Sequence, residues 1–260
     1  IYNREHQIMQ NGAAFQSAVQ YPFGYFLNQG VLILPFPDTI NLYIFLDENQ
    51  EIISDVITTA LRYSLINFAA GDNLGKITQK KIIYTGSQDS LNAGHLTSAR
   101  HGNGRDWWIL VPKYNSNIYR RFLLSNEGLK NMGEQTIGEI VPNGVGYSAY
   151  SPDGKWYARY NAYGQTSNPK AAVHFYGFDR CTGLLSDPHY KFYPGIEVYG
   201  GVAFSPDSRY LYVSKYTKIF QYDLEAPDIL ASEQVVAEYD GFIDGIGVPT
   251  RFYGLQLAPD

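Results

Sequence analysis

Two stretches decide how this chain is read: Ser151-Pro152-Asp153-Gly154-Lys155-Trp156-Tyr157-Ala158-Arg159-Tyr160 and Ser205-Pro206-Asp207-Ser208-Arg209-Tyr210-Leu211-Tyr212-Val213. Each is a Pro-Asp corner followed by an aromatic and branched run. Proline presets the first corner of a tight turn, glycine tolerates positive φ, and aromatic or β-branched residues suit a pleated, half-buried strand. A short apolar segment precedes each corner: Gly146-Tyr147-Ser148-Ala149-Tyr150 in one case and Gly201-Val202-Ala203-Phe204 in the other. The pattern is therefore strand, tight turn, strand. Ala258-Pro259-Asp260 starts it again, with Pro152, Pro206 and Pro259 about 54 and 53 residues apart.

Weaker copies lie upstream. His101-Gly102-Asn103-Gly104-Arg105 precedes Trp107-Trp108-Ile109-Leu110-Val111, and Phe36-Pro37-Asp38 precedes Leu42-Tyr43-Ile44-Phe45. Five markers at intervals of roughly 50–65 residues indicate an array of similar units. Two more strand-like runs follow most markers: Ile118–Leu123 with 135–141, Val173–Phe178 with His189–Tyr193, and Ile219–Asp223 with 234–239. Four short antiparallel strands per unit describe a propeller blade.

The expected fold class is all-β: a β-propeller of WD-repeat or YVTN kind, with four-stranded antiparallel blades of about 50–55 residues. The expectation is one domain over residues 1–260, incomplete at both ends and drawn from a seven-bladed propeller. Its divisions are a partial blade at 1–29, blades at 30–94, 95–145, 146–199 and 200–253, and the start of another at 254–260. Ile1–Met9 is read as a strand of an incomplete blade, and Asp47–Thr59 as an inserted loop or short helix.

Composition narrows the chemistry. Hydrophobic residues make up 45% of the 260 and charged residues 17%, which is enough apolar content for a large core. A net charge of −5 argues against phosphate neutralisation as the binding mode, so no nucleic-acid partner is expected. No apolar run approaches the roughly 18–20 residues of a membrane span. Cys181 is the one cysteine, so no disulfide forms within the chain; it reads as a small side chain packed near a turn.

Catalytic motifs fail one by one. The five histidines show no metal spacing. Asp47-Glu48-Asn49-Gln50-Glu51 begins like a calcium loop but has Ile52 where glycine is needed and Thr58 where glutamate is needed, so it reads as a solvated acidic turn. There is no Gly-x-Ser-x-Gly elbow, phosphate loop or dinucleotide fingerprint. Arg105-Asp106-Trp107-Trp108 reads as a strand start with one tryptophan on each face, and Asp179-Arg180 as a turn-fixing pair. No catalytic residue, metal ligand or cofactor is expected. Binding residues are sought instead in the loops leading to each innermost strand: His95, Tyr147, Tyr199, Arg251 and Tyr253.

Four stretches, 3–12, His101–Trp108, 178–183 and 200–206, together resemble a family of large secreted proteins of gliding-type bacteria that carry a C-terminal sorting domain for type IX secretion. The resemblance implies a WD-repeat-like propeller exported to the cell surface or medium, alongside other domains of a longer polypeptide. It brings no catalytic residues with it. The resulting expectation is a non-enzymatic extracellular binding or scaffold module whose loops meet a protein or polysaccharide. The alternative is an enzyme or part of one, either a lactonase-like propeller or the substrate-gating propeller of a prolyl oligopeptidase-type or TolB-like protein.

Overall fold

A computed structural model describes residues 1–13, 28–52, 56–71, 74–85, 90–142, 144–163, 170–195 and 199–258. Among the described residues sixteen strands form four antiparallel sheets of four, each sheet taking its strands consecutively from the chain. The first holds β1 (Val31–Pro35), β2 (Leu42–Ile52), β3 (Val56–Asn67) and β4 (Lys76–Thr85). The second holds β5 (Thr97–Arg100), β6 (Trp107–Pro112), β7 (Ser116–Ser125) and β8 (Gly128–Val141). The third comprises β9 (Gly144–Tyr150), β10 (Trp156–Tyr163), β11 (Lys170–Asp179) and β12 (Leu184–Tyr193). The fourth comprises β13 (Gly200–Phe204), β14 (Tyr210–Lys215), β15 (Lys218–Asp223) and β16 (Gln234–Glu238), with a single 3₁₀ turn at Leu230–Ser232.

Alternation along the strands sends side chains to both faces of each sheet, and the faces meet in three apolar layers. Ile44, Leu46 and Leu61 of the first sheet meet Ile109, Val111, Phe122 and Leu124 of the second. The opposite face of the second carries Trp108, Leu110 and Tyr119 against Tyr157, Tyr176 and Phe178 of the third. The other face of the third carries Ala158, Tyr160, Val173 and Phe175 against Val202, Leu211, Val213 and Tyr222 of the fourth. Sheets that follow one another in sequence, pack face to face and share one up-and-down topology make a β-propeller-like fold.

The repeated corners use the same bonds. Ser151 Oγ donates to Asp153 Oδ1 at 2.7 Å and accepts from the Trp156 amide at 3.0 Å, while Asp153 Oδ1 also accepts from the Lys155 amide at 3.0 Å. In the fourth sheet Ser205 Oγ bonds Asp207 and accepts from the Tyr210 amide at 2.8 Å, and Asp207 accepts from the Arg209 amide at 3.2 Å. The His101 corner shares the main-chain bond, its His101 amide donating to Asp106 O at 2.9 Å as the Ser151 amide does to Trp156 O at 3.0 Å, and Asn103 Oδ1 takes the place of Asp153 by accepting from the Arg105 amide at 3.0 Å. Positive φ falls at matching positions, Gly104 (71°), Gly154 (71°) and Ser208 (65°).

Three expectations are corrected. Within Asp47–Thr59, residues 47–52 belong to β2 and residues 56–59 to β3, with Asp47 paired to Arg62 and Asn49 to Ala60, so these parts are strand rather than loop or helix, and residues 53–55 lie outside the described residues. The acidic run there is not solvated. Asp47 is 3% and Glu48 0% exposed, because Arg62 ion-pairs Asp47 while the Gly94 amide (2.9 Å) and Thr58 hydroxyl (3.2 Å) donate to Glu48. Ile1–Met9 is not a strand. Asn3 Oδ1 accepts from the Glu5 and Gln7 amides, which doubles the chain back so that Tyr2 bridges Ile8.

Candidate functional site

The inner strands β5, β9 and β13 and the segment Gly254–Leu257 line a cleft of about 780 Å³. That volume is within the range of ligand sites. Gln29 closes part of it. Its side-chain amide donates to Ser148 O at 2.8 Å and accepts from the Ser148 amide at 2.6 Å, as a neighbouring strand would. Residues 254–257, expected to begin another blade, make no strand but lie along this lining. A Cβ on Gly254 would stand 2.4 Å from the Tyr147 ring, so only glycine lets the chain pass that close.

Where this segment arrives, main-chain bonds gather three tyrosines. The Tyr216 amide donates to Tyr199 O at 2.8 Å, the Phe252 amide donates to Tyr216 O at 2.8 Å, and the Ser214 hydroxyl donates to Tyr253 O. The rings of Tyr199, Tyr216 and Tyr253 consequently lie 6.2 Å (Tyr199–Tyr216), 5.7 Å (Tyr199–Tyr253) and 5.9 Å (Tyr216–Tyr253) apart, each pair tilted or edge-on. Such pairs contribute about 0.5–1.5 kcal/mol each beyond burial, so the cluster is a formed surface. Tyr199 is 58% and Tyr253 51% exposed.

Arg251 completes the group. Its guanidinium lies 3.6 Å from the Tyr239 ring centroid and 5.2 Å from that of Tyr216, a cation–π arrangement that fixes its position. Its Nε and Nη1 have no hydrogen-bond partner. Beside it a turn is tied by Asp244, which accepts from the Ile246 amide at 3.0 Å and the Val248 amide at 2.7 Å. That turn exposes Phe242, Ile243, Ile246 and Val248 to solvent.

The structure thus brings together three of the five expected binding residues, Tyr199, Arg251 and Tyr253. Tyr147 is half-buried and belongs to the cleft wall. His95 is corrected: it is fully buried and offers no ring to a ligand at the surface. Its Nδ1 pairs with Ser148 Oγ at 2.9 Å and its Nε2 with Asn161 Oδ1 at 3.3 Å, which ties the segment leading into the second sheet to the third sheet. Burial, and next the charge of Arg159, hold its pKa well below the usual histidine value.

Sequence reasoning missed Tyr216 and Tyr239. Both flank strands of the fourth sheet rather than entering an inner one; Tyr216, in the two-residue β14–β15 turn with φ of 45°, was the more visible of the two.

The other conspicuous clusters are structural. Trp107 packs toward the first sheet and Trp108 toward the third. Arg180 donates to Arg100 O, Asp153 O and His101 O at 2.9, 3.2 and 3.3 Å, joining the corners of the second and third sheets. Cys181 is exposed on the adjacent turn rather than packed. No group of three or more metal-ligating side chains occurs among the described residues.

Fold and site together define a propeller-like all-β chain with a tyrosine–arginine surface beside its inner cleft. No protein-family model matches it, and no curated protein does. Solved structures do. A luciferin-regenerating enzyme aligns at 15% identity over 81% of this chain and 63% of that one, with a TM-score of 0.41. A Bacteroides uniformis ATCC 8492 protein provisionally assigned as a 6-phosphogluconolactonase aligns at 13% identity over 82% and 74%, TM-score 0.41. Sqt1 from Chaetomium thermophilum aligns at 16% identity over 76% and 45%, TM-score 0.43. This chain therefore spans less than two thirds of the first and third of these proteins. At such identities and scores no activity passes from them to this chain.

Proposed function

We propose that this chain is the binding part of a secreted or surface-displayed protein, a set of blades from a seven-bladed propeller that docks a macromolecular partner without catalysis. The observation that carries this is the Tyr199–Tyr216–Tyr253 cluster with Arg251 stacked behind it. Tyrosine and arginine are the residue types that most often dominate binding energy, because each offers a large rigid face together with a polar edge. The neighbouring Phe242, Ile243, Ile246 and Val248 enlarge the surface with exposed apolar area, which favours a protein over a polysaccharide as partner. Export rests on the resemblance to type IX-secreted proteins.

The test is a binding screen of the purified chain against cell-envelope proteins and soluble polysaccharides of its source organism, with lactone hydrolysis assayed in parallel. Saturable binding that is lost in Tyr199→Ala and Arg251→Ala supports the proposal. Catalytic turnover of a lactone would replace it with the enzyme reading, and binding that survives both substitutions would move the site elsewhere.

A further inference from the structure

Between the second and third sheets lies a charged group that nothing described so far employs. Arg159 of β10 is 0% exposed, yet no ion pair joins it to a carboxylate among the described residues. Two of its nitrogens, Nε and Nη1, have no hydrogen-bond partner, and the third donates only a long bond, 3.4 Å, to Asn161 Oδ1. Opposite it in the sheet stand Ser148 of β9 and His174 of β11. His174 is 1% exposed, and neither of its ring nitrogens has a partner. Tyr119 of β7 presents its ring 6.0 Å from the guanidinium.

The local acceptors are already engaged. Asn161 Oδ1 also meets His95 Nε2, and Ser148 Oγ bonds both His95 Nδ1 and the Tyr157 hydroxyl. What is left over is a buried positive charge and a set of N–H donors without acceptors. A buried cation is tolerated when paired, and orphaned buried donors mark a missing water or ion. Water would satisfy the donors but leave the charge unbalanced. We propose that Arg159 and His174 together bind one small inorganic anion, held by the guanidinium edge and the imidazole N–H and locking the second sheet to the third.

The probe is a halide on the intact chain. Thermal unfolding midpoints are measured in sodium chloride, sodium bromide and sodium gluconate at equal ionic strength, for wild type and Arg159→Met. Crystals grown with bromide are examined for anomalous scattering. The expected result is a midpoint that rises with halide but not with gluconate, no such rise in Arg159→Met, and a bromide peak beside Nε and Nη1. Because Arg159→Met removes the charge with little change in volume, its loss of halide dependence is readable even if its stability differs. Identical midpoints in all three salts, or crystals showing only water at Arg159, overturn the proposal.

Discussion

The Asp153 amide donates to the Ser208 hydroxyl at 3.0 Å, tying the corner of the third sheet to that of the fourth. Ser208 holds this bond from a left-handed backbone, φ 65°, which costs any side chain about 1–2 kcal/mol. Two effects of similar size therefore oppose each other at one residue. Ser208→Ala keeps the strain and loses the bond, so its expected cost is about 1 kcal/mol. Ser208→Gly loses the bond but relieves the strain and stays close to wild type. Urea denaturation of the two variants checks this, and equal losses would contradict it.

Gly183 and Gly104 make a second paired comparison. Both have positive φ, 69° and 71°, so alanine strains the backbone at either. A Cβ at Gly183 would also stand 2.6 Å from the Trp108 ring, whereas at Gly104 nothing lies within 4 Å. Gly104→Ala is expected to cost about 1 kcal/mol. Gly183→Ala adds overpacking against a buried indole and is expected to cost about 2–4 kcal/mol. A thermal melt that ranks them the other way would contradict the packing of the second and third sheets.

Buried titratable groups set the pH dependence. Burial holds Glu48 protonated up to about 8, against an ordinary value of 4.5. The folded state then keeps a proton that the unfolded chain releases, so this group makes stability fall as pH rises from about 4.5 to 8. His95 and His174 act oppositely. Burial first, and the Arg159 charge next, lower both, His174 to about 3, so unfolding takes up protons below about 6.5 and stability falls as the solution is acidified. Glu48→Gln preserves the acceptor for Gly94 and Thr58. Its expected profile is greater stability than wild type near pH 8 and a steeper acid limb below 6.5. A profile parallel to wild type across pH 4.5–8 would contradict the buried carboxyl.

The blades were legible because proline, glycine and aromatic spacing record local turn chemistry. Pro152-Asp153 and Pro206-Asp207 announce corners whose bonds close within five residues. Asp47 and Glu48 were misread because their charge suggested solvent. What buries them, Arg62 and the Gly94 amide, comes from a paired strand and from the loop before the second sheet, and neither contact leaves a mark on the local sequence. His95 failed for the same reason, since its partners Ser148 and Asn161 belong to the next sheet. Tyr199 and Tyr253 were singled out from their places before Gly200, which opens β13, and before Gly254, where another inner strand was expected. Tyr216 was not, because its contribution depends on how Phe252 bridges back to it.

Tyr199, Tyr216, Tyr253 and Arg251 are proposed above to form a docking surface. The most direct measurement is the affinity of the captured partner for wild type, Tyr199→Ala and Tyr253→Ala, with each melting temperature recorded beside it. Both tyrosines are half-exposed, so truncation is expected to leave melting nearly unchanged while weakening binding on the order of 30-fold, about 2 kcal/mol. Unaltered affinity in both variants, with both folded, would contradict the account.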